Sequence, residues 1–238
     1  MPPRNQPLGP AAVLFAHRGA GAHEPPHTIE AFRLALRLGA TGLAADAWVT
    51  SDGVAVLDRD GVVGRLRRRR IRACRRDELP DHIPTLDDLY AAVGITHPLS
   101  IDVRDPDAAP AVLAAARRAD AVGELWLGHP TIELLAEWRG ADPDVRLVNA
   151  TAIRAIDESP ERRASALRDA GVDVLSLPRA DWNAGLVTLM HRFERAAWGR
   201  DAQHVRMVVE LLHMGIDGVF SDHVDRMVDA AMAVGGER

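Results

Sequence analysis

Short apolar runs alternate along the chain with longer segments whose apolar residues recur every three or four positions. The short runs are rich in valine, leucine and isoleucine and predict strands, whereas the recurring spacing predicts helices with one apolar face. The predicted strands are 13–16, 42–48, 54–57, 98–103, 124–128, 145–149, 172–176, 194–198 and 217–220. The predicted helices are 28–38, 85–93, 107–119, 131–139, 160–170, 201–214 and 224–233.

A turn at Thr50-Ser51-Asp52-Gly53 separates two apolar runs and predicts a β-hairpin. Without its antiparallel return strand, eight strands joined by helices remain. This count favours an α/β fold of the closed (β/α)8 type, a TIM barrel with a hairpin after the second strand, over a doubly wound open sheet. Composition does not change sharply along the chain, so we predict one domain over residues 1–238, with 1–11 as a loose tail.

Composition excludes several classes of protein. Hydrophobic residues make up 47% of the 238 residues, which rules out wholesale disorder. No apolar run approaches the ~18 residues of a membrane span. A net charge of -5 argues against nucleic acid as a partner, and a single cysteine excludes an internal disulfide framework or a multi-cysteine metal site. The single thiol and the absence of a signal-like segment predict a cytoplasmic location; nothing in the sequence specifies an oligomeric state.

One segment departs from the acidic average of the chain. Residues 65–76 carry eight arginines in twelve positions, and every basic residue apart from histidine is arginine. A solvated loop or short helix is the plainer interpretation of such a run. The functional alternative is a rim that attracts anions beside the active face.

Polar and charged residues gather where the predicted strands end. In a (β/α)8 barrel the carboxyl ends of the strands form the active site, so these residues predict a polar pocket for an anionic ligand. His17 can act as an acid or a base near neutral pH, and Arg18 and Arg104 can grip a phosphate or carboxylate. If the hairpin turns near Gly53, Asp46 and Asp60 lie opposite each other.

The order of these residues resembles the glycerophosphodiester phosphodiesterase family. The resemblance rests on AHRGAGAHEPPHTIEAF, GATGLAADAWVTSDGVAVLDRD, IPTLDDL, LSIDVR, AW and GIDGVFSD, and extends from about Val13 to Asp225. It implies a (β/α)8 barrel with a hairpin after the second strand. It also implies hydrolysis of glycerophosphodiesters to glycerol 3-phosphate and an alcohol, with two histidines as acid and base and one divalent cation, Ca2+ or Mg2+, held by acidic residues.

Carried over residue by residue, the resemblance assigns only part of this machinery. His17 matches the first catalytic histidine, Arg18 the adjacent arginine, and Arg65 an arginine after the hairpin. Pro26 and Ala44 stand where the family has metal-binding glutamates, and Arg59 stands where it has the second histidine. The remaining matches are His27 for an asparagine, Asp46 for the metal-binding aspartate, Asp60 for the aspartate that follows the second histidine, Asp102 and Arg104 for a glutamate and a lysine, and Trp198 for an aromatic residue beside the substrate.

These departures weaken both the cation site and proton transfer. At most Asp46 and Asp102, helped by Asp60, remain as metal ligands, so we predict that a divalent cation binds weakly or not at all. Arginine stays protonated at neutral pH, so Arg59 cannot replace a general acid or base.

Three interpretations follow. The first is a weak or inactive pseudoenzyme that binds a phosphodiester or other anionic small molecule, or a protein partner, through Arg18, Arg59, Arg104 and Trp198. The second is an active phosphodiesterase rebuilt around His17, Asp46 and Asp102, in which His27 could favour Zn2+ or Mn2+ unless it is only a loop or helix-start residue. The third is a scaffold without a ligand, in which the aspartates pair with the arginines internally.

Overall fold

A computed structural model describes residues 6–64 and 68–236. The strands in these ranges are β1 (Val13–His17), β2 (Gly42–Val49), β3 (Ala55–Leu57), β4 (Val62–Val63), β5 (Arg69–Arg70), β6 (Leu99–Val103), β7 (Leu125–His129), β8 (Arg146–Ala150), β9 (Val174–Pro178), β10 (Ala196–Arg200) and β11 (Gly218–Ser221). The helices are α1 (Ile29–Arg37), α2 (Leu86–Val93), α3 (Ala109–Arg118), α4 (Ile132–Ala141), α5 (Pro160–Asp169), α6 (Ala184–Arg192), α7 (Val205–Met214) and α8 (Val224–Gly236).

Eight of the strands form a closed parallel barrel. The order runs from β1 through β2 and β6 to β11, and β1 pairs with both β2 and β11, which closes the ring. A helix follows each barrel strand and covers the outside of the sheet. The (β/α)8 fold predicted from the sequence is therefore confirmed. The division of the chain as one domain over 1–238 stays a prediction.

The predicted hairpin follows the second barrel strand, but its register differs from the expected one. β3 runs antiparallel to β2, with Ala47 opposite Leu57 and Trp48 opposite Val56. This register places Asp58 opposite Asp46, and the Asp58 backbone N–H donates to the Asp46 carbonyl at 3.2 Å. The expectation that Asp60 faces Asp46 is wrong, because the turn is centred one residue earlier than assumed.

Two further differences concern the second half of the barrel. Strand β10 begins and ends two residues later than predicted, so Arg200 rather than Trp198 occupies its carboxyl end. Helix α6 was not predicted. The Asn183 side chain caps its start by accepting from the Leu186 N–H at 2.9 Å, and Leu186, Val187 and Met190 are buried on its inner face.

Aromatic side chains fill the interior of the barrel below the strand ends. The Phe15 ring lies 4.6 Å from Trp198 and 4.5 Å from Phe220, and the Trp126 ring lies 4.8 Å from Trp198, between ring centroids. Glycine at 218 makes this packing possible, because a Cβ there would lie 2.6 Å from the Trp198 ring. These rings plug the barrel, so only its upper end is open for a ligand.

The described part of the arginine-rich segment packs on the hairpin. Strand β5 pairs with β4, while Ile71 and Cys74 are buried beneath it. Several of its arginines form exposed ion pairs, among them Arg69 with Glu78 at 3.2 Å and Arg72 with Asp107 at 3.3 Å. Arg65 lies outside the described residues, together with 66 and 67.

The chain ends are described only in part. Residues 1–5 of the predicted tail lie outside the described range, but the Leu8 N–H donates to the Asp217 carboxylate at 2.6 Å. Within the described ranges, no helix has the length and apolar character needed to cross a bilayer.

Candidate active site

A pocket of about 250 Å³ opens at the carboxyl ends of the barrel strands. This is the end at which parallel barrels carry their functional residues. Phe220 and Val148 contribute an apolar floor, and charged side chains surround the mouth. Its lining residues include His17, Arg18, Ala44, Asp46, Ser100, Asp102, Arg104, Ser176, Arg200, Asp201, Gln203 and Asp222.

His17, the last residue of β1, is paired with an aspartate across the barrel mouth. Its Nδ1 lies 2.9 Å from Oδ1 of Asp222, which follows β11. Gln203 donates to the other carboxylate oxygen of Asp222 at 2.8 Å. Burial alone would raise the pKa of Asp222, but the contact with His17 and the nearby positive charge hold it below its usual range. A carboxylate on one ring nitrogen orients the imidazole and leaves Nε2 as the atom for proton exchange.

Asp46 lies beneath two arginines at the centre of the site. Its side chain is only 2% exposed; Nε of Arg18 donates to Oδ2 at 2.8 Å and Nε of Arg104 donates to Oδ1 at 2.6 Å. Burial works against ionisation of this carboxyl, but the guanidinium groups of Arg104 and Arg18 outweigh burial and hold the pKa of Asp46 well below its usual range. Both of its oxygens are therefore occupied by guanidinium groups.

The turn after β1 brings Arg18 and His27 to Asp46 through left-handed backbone. Arg18 and Gly19 have φ of 58° and 80°, and His27 has φ of 64°. Nε2 of His27 accepts the Asp46 backbone N–H at 3.0 Å and lies 3.3 Å from Oδ2. His27 is not a surface residue, because its side chain is 4% exposed, although it does lie at a helix start, directly before the α1 N-cap Thr28. It supports the strand that carries Asp46.

Sequence reasoning missed Arg200, which lines the pocket from the end of β10. Its Nη2 donates to the Thr151 carbonyl, whereas its buried Nε has no hydrogen-bond partner, and the same holds for the buried Ser176 hydroxyl. Among the described residues, no carboxylate forms an ion pair with this guanidinium. Burial lowers the pKa of Arg200, although an arginine stays protonated at neutral pH. The available signal was its position two residues after Trp198, on the same face of the strand.

The structure does not bring three of the expected residues into the pocket. Arg59 and Asp60 lie beyond β3 with side chains 65% and 69% exposed, 3.7 Å from each other. Trp198 is 2% exposed and belongs to the aromatic plug below the pocket. Its expected place beside a ligand is wrong because β10 continues upward by two further residues.

Asp102 remains at the pocket wall, where its carboxylate is shared with an arginine. It is 28% exposed, and its Oδ2 lies 3.7 Å from Nη2 of Arg104. Burial opposes the charge on Arg104, but the Asp102 and Asp46 carboxylates raise the pKa of its guanidinium. Arg104 thus links the two acids that the sequence offered as metal ligands.

The pocket does not fit the divalent cation that its fold family implies. Ca2+ takes about six to eight oxygen ligands and Mg2+ about six. Asp46 already gives both oxygens to arginines, and Ala44 offers no side-chain oxygen. Among the residues that the structure describes, no three His, Cys, Asp or Glu of this pocket bring ligand atoms within 4.8 Å of one another.

Comparisons with known proteins agree on the family. Residues 17–112 match the model of the glycerophosphoryl diester phosphodiesterase family. A Mycobacterium tuberculosis protein named "Probable glycerophosphodiester phosphodiesterase 2" is 26% identical over 94% of this chain and 92% of its own length. Human glycerophosphodiester phosphodiesterase 1 is 35% identical, but over 37% of this chain and 31% of its own. The matches to the first curated relatives span only 10% to 31% of their lengths.

Solved structures share the whole fold at low sequence identity. A glycerophosphodiester phosphodiesterase from Thermotoga maritima superposes with a TM-score of 0.79 at 22% identity, over 93% of this chain and 99% of that one. An Oleispira antarctica phosphodiesterase in complex with its product sn-glycerol-3-phosphate gives 0.80 at 17% identity, over 92% and 96%. Together, the family model over residues 17–112 and the curated relatives support the glycerophosphodiester phosphodiesterase family for this chain, and the solved structures show that it shares the fold.

Proposed function

We propose that this family member binds a phosphorylated or other anionic small molecule in its barrel pocket without a divalent cation, and hydrolyses glycerophosphodiesters weakly or not at all. The observation that carries the proposal is the pairing of Asp46 with Arg18 and Arg104. Two guanidinium groups occupy the carboxylate that a family-type cation would need. They neutralise its charge, as a cation would, but they supply no metal-bound water.

The anionic ligand would bind at Arg200. Of the three pocket arginines, Arg18 and Arg104 are engaged by Asp46, whereas Arg200 has a buried Nε without a partner. Burial disfavours the charge on Arg200, and nearby carboxylates act on it without forming a direct ion pair, so an anion in contact with the guanidinium would stabilise it. The unpaired Ser176 hydroxyl offers a further donor for a phosphate or carboxylate oxygen.

The net charge of the pocket lining disfavours a second negative charge on the ligand. The pocket holds four aspartates, Asp46, Asp102, Asp201 and Asp222, beside its three arginines. With His17 neutral, this set carries one net negative charge. A phosphodiester monoanion would therefore be repelled less than a phosphomonoester dianion. We expect glycerophosphocholine to bind more tightly than glycerol 3-phosphate.

Proton transfer limits catalysis at this site. Hydrolysis needs one group to accept a proton from water and another to donate a proton to the leaving alcohol. His17 can do only one of these in a single step, and Arg59, at the position of the second family histidine, is exposed and cannot exchange a proton. Losing one acid or base group forfeits about 10²–10⁴ in rate.

The activity test compares the protein with its His17→Ala variant. Both are incubated with glycerophosphocholine and an artificial phosphodiester in EDTA, or with Ca2+, Mg2+, Mn2+ or Zn2+. We expect at most slow turnover without metal stimulation. Metal-stimulated turnover that disappears in His17→Ala would contradict the proposal and support the second candidate, a phosphodiesterase rebuilt around His17, Asp46 and Asp102. The His17–Asp222 pair, which retains an oriented imidazole, is the observation that favours this candidate.

The binding test uses calorimetry in EDTA with glycerophosphocholine, glycerol 3-phosphate and inorganic phosphate. We expect Arg200→Gln to weaken binding at least tenfold, because it removes the guanidinium that would contact the anion. Arg206→Gln is the matched control, since Arg206 is 87% exposed on α7. Equal affinities in Arg200→Gln and the parent protein, or no binding of any probe, would refute an anion site at Arg200.

A further inference from the structure

Two histidines and an aspartate meet outside the pocket, where the β1–α1 loop touches the start of α8. They are His23, His223 and Asp225, and one ligand atom from each lies within 4.8 Å of the other two. Nε2 of His23 lies 3.1 Å from Oδ1 of Asp225, and the His23 and His223 rings are 6.3 Å apart between centroids. None of the three lines the pocket.

We infer that His23, His223 and Asp225 form a binding site for Zn2+ or a similar divalent transition metal, separate from the barrel pocket. Two imidazoles and one carboxylate are a donor set that such ions prefer, whereas Ca2+ and Mg2+ prefer oxygen ligands. The set leaves coordination positions open to water. It requires no residue that takes part in the function proposed above.

One of the ligand–ligand distances is already close to the distance that a bound ion imposes. With Zn–N and Zn–O bonds of about 2.0–2.1 Å, two ligands of a tetrahedral ion lie about 3.3 Å apart. The 3.1 Å between His23 and Asp225 nearly meets this requirement. The His223 ligand atom lies within 4.8 Å of the other two, so it must move closer to complete the set. His23 and Asp225 are 36% and 45% exposed, so an ion can reach them from solvent.

The backbone beneath the site is already fixed. The Ala22 N–H donates to the Asp222 carbonyl at 3.2 Å, and the His23 N–H donates to the Ala20 carbonyl at 2.8 Å. The first bond joins the two segments and the second fixes the loop that carries His23, so little backbone freedom is lost when an ion binds. The positive end of the α8 dipole and the charge of Arg226 weaken cation binding. We therefore expect an affinity in the micromolar range.

Placement of the site gives it a structural consequence. His23 follows the turn that carries His17 and Arg18. His223 and Asp225 lie directly after Asp222, the aspartate that contacts His17. An ion would cross-link the two sides of the His17–Asp222 contact from outside the pocket. Binding to the folded state alone raises Tm; at one hundred times the Kd we expect a rise of about 5–10 °C for a chain of this size.

The test is a Zn2+ titration of protein without a histidine tag, by calorimetry and thermal unfolding, with Co2+ absorption as the spectroscopic signature. We expect one Zn2+ per chain and no such binding of Mg2+. His23→Ala and His223→Ala should each weaken Zn2+ binding at least tenfold and abolish the Tm rise. The matched control His82→Ala, which removes another exposed histidine, should leave both unchanged.

Two results would overturn the inference. One is the absence of stoichiometric Zn2+ binding in the parent protein below millimolar concentration. The other is binding that survives in the His23→Ala/His223→Ala double variant but disappears in His17→Ala, which would move the ion into the pocket. These readouts do not depend on phosphodiester turnover or on anion binding, so they separate this inference from the proposed function.

Discussion

Replacing Asp46 with asparagine tests whether this carboxylate serves the fold as the partner of two arginines. In the native protein its oxygens accept from Arg18 at 2.8 Å and from Arg104 at 2.6 Å, and the side chain is 2% exposed. Asp46→Asn preserves the shape but removes the negative charge. Two guanidinium groups then face each other across a neutral amide.

The structure sets the size of the expected loss. Removing one member of a buried ion pair costs about 3–5 kcal/mol. Arg18 is 17% exposed, so its guanidinium cannot easily reach solvent. Arg104 is 43% exposed and can turn toward solvent. We therefore expect the lower end, about 3 kcal/mol in free energy of unfolding, which corresponds to a fall in Tm of roughly 6–12 °C for a chain of this length.

The same variant has a defined pH dependence. The pKa of Asp46 is lowered by folding, so its contribution to stability is complete above the unfolded-state pKa of about 3.9 and is lost as pH falls through the folded value. The gap between the parent protein and Asp46→Asn should thus be widest at neutral pH and shrink below about pH 4.

Urea unfolding at pH 7 and at a series of acidic pH values measures both effects. Asp60→Asn is the matched control, since Asp60 is 69% exposed and should change stability by less than about 0.5 kcal/mol. An Asp46→Asn protein as stable as its parent, or more stable, would refute the reasoning. That result is expected if Asp46 is a metal ligand, because its negative charge would then destabilise the protein without metal.

Three further substitutions test the placement of other residues. Arg59→Gln should leave anion affinity unchanged in calorimetry, because Arg59 is exposed outside the pocket. A tenfold loss of affinity would show that Arg59 does contact the ligand. Trp198→Ala should cost about 3–5 kcal/mol in urea unfolding, since it opens a cavity in the aromatic plug; a loss below 1 kcal/mol would place the ring at the surface. Gly218→Ala should cost about 1–3 kcal/mol by the same measurement, because the new methyl group would lie 2.6 Å from Trp198. An unchanged free energy of unfolding would show that the aromatic side chains can move to accommodate it.

The fold could be predicted because periodicity is a local property. The alternation of strand-like and helix-like segments and the turn at Gly53 were enough to indicate eight barrel strands and a hairpin. Helix α6 was not predicted because Gly185, Val187 and Thr188 are poor helix formers. The helix is stabilised by the packing of its inner face, which the local sequence does not reveal.

The site was predictable only where strand ends were placed correctly. His17, Arg18, Asp46, Asp102 and Arg104 all line the pocket. Arg200 was missed because the apolar run around Trp198 stops before it, whereas the strand continues through pairing with β9 up to Pro178. The role of His27 depends on a left-handed turn, and its contact with Asp46 spans 19 residues of sequence. Neither feature has a local signature.

The aromatic plug makes the barrel a cup with a single opening. Phe15, Trp126, Trp198 and Phe220 close the lower end, so a ligand must enter and leave through the same mouth. A molecule with a long hydrocarbon tail can place only its charged head in the 250 Å³ available and must leave the tail outside. The pocket would then distinguish head groups and ignore chain length.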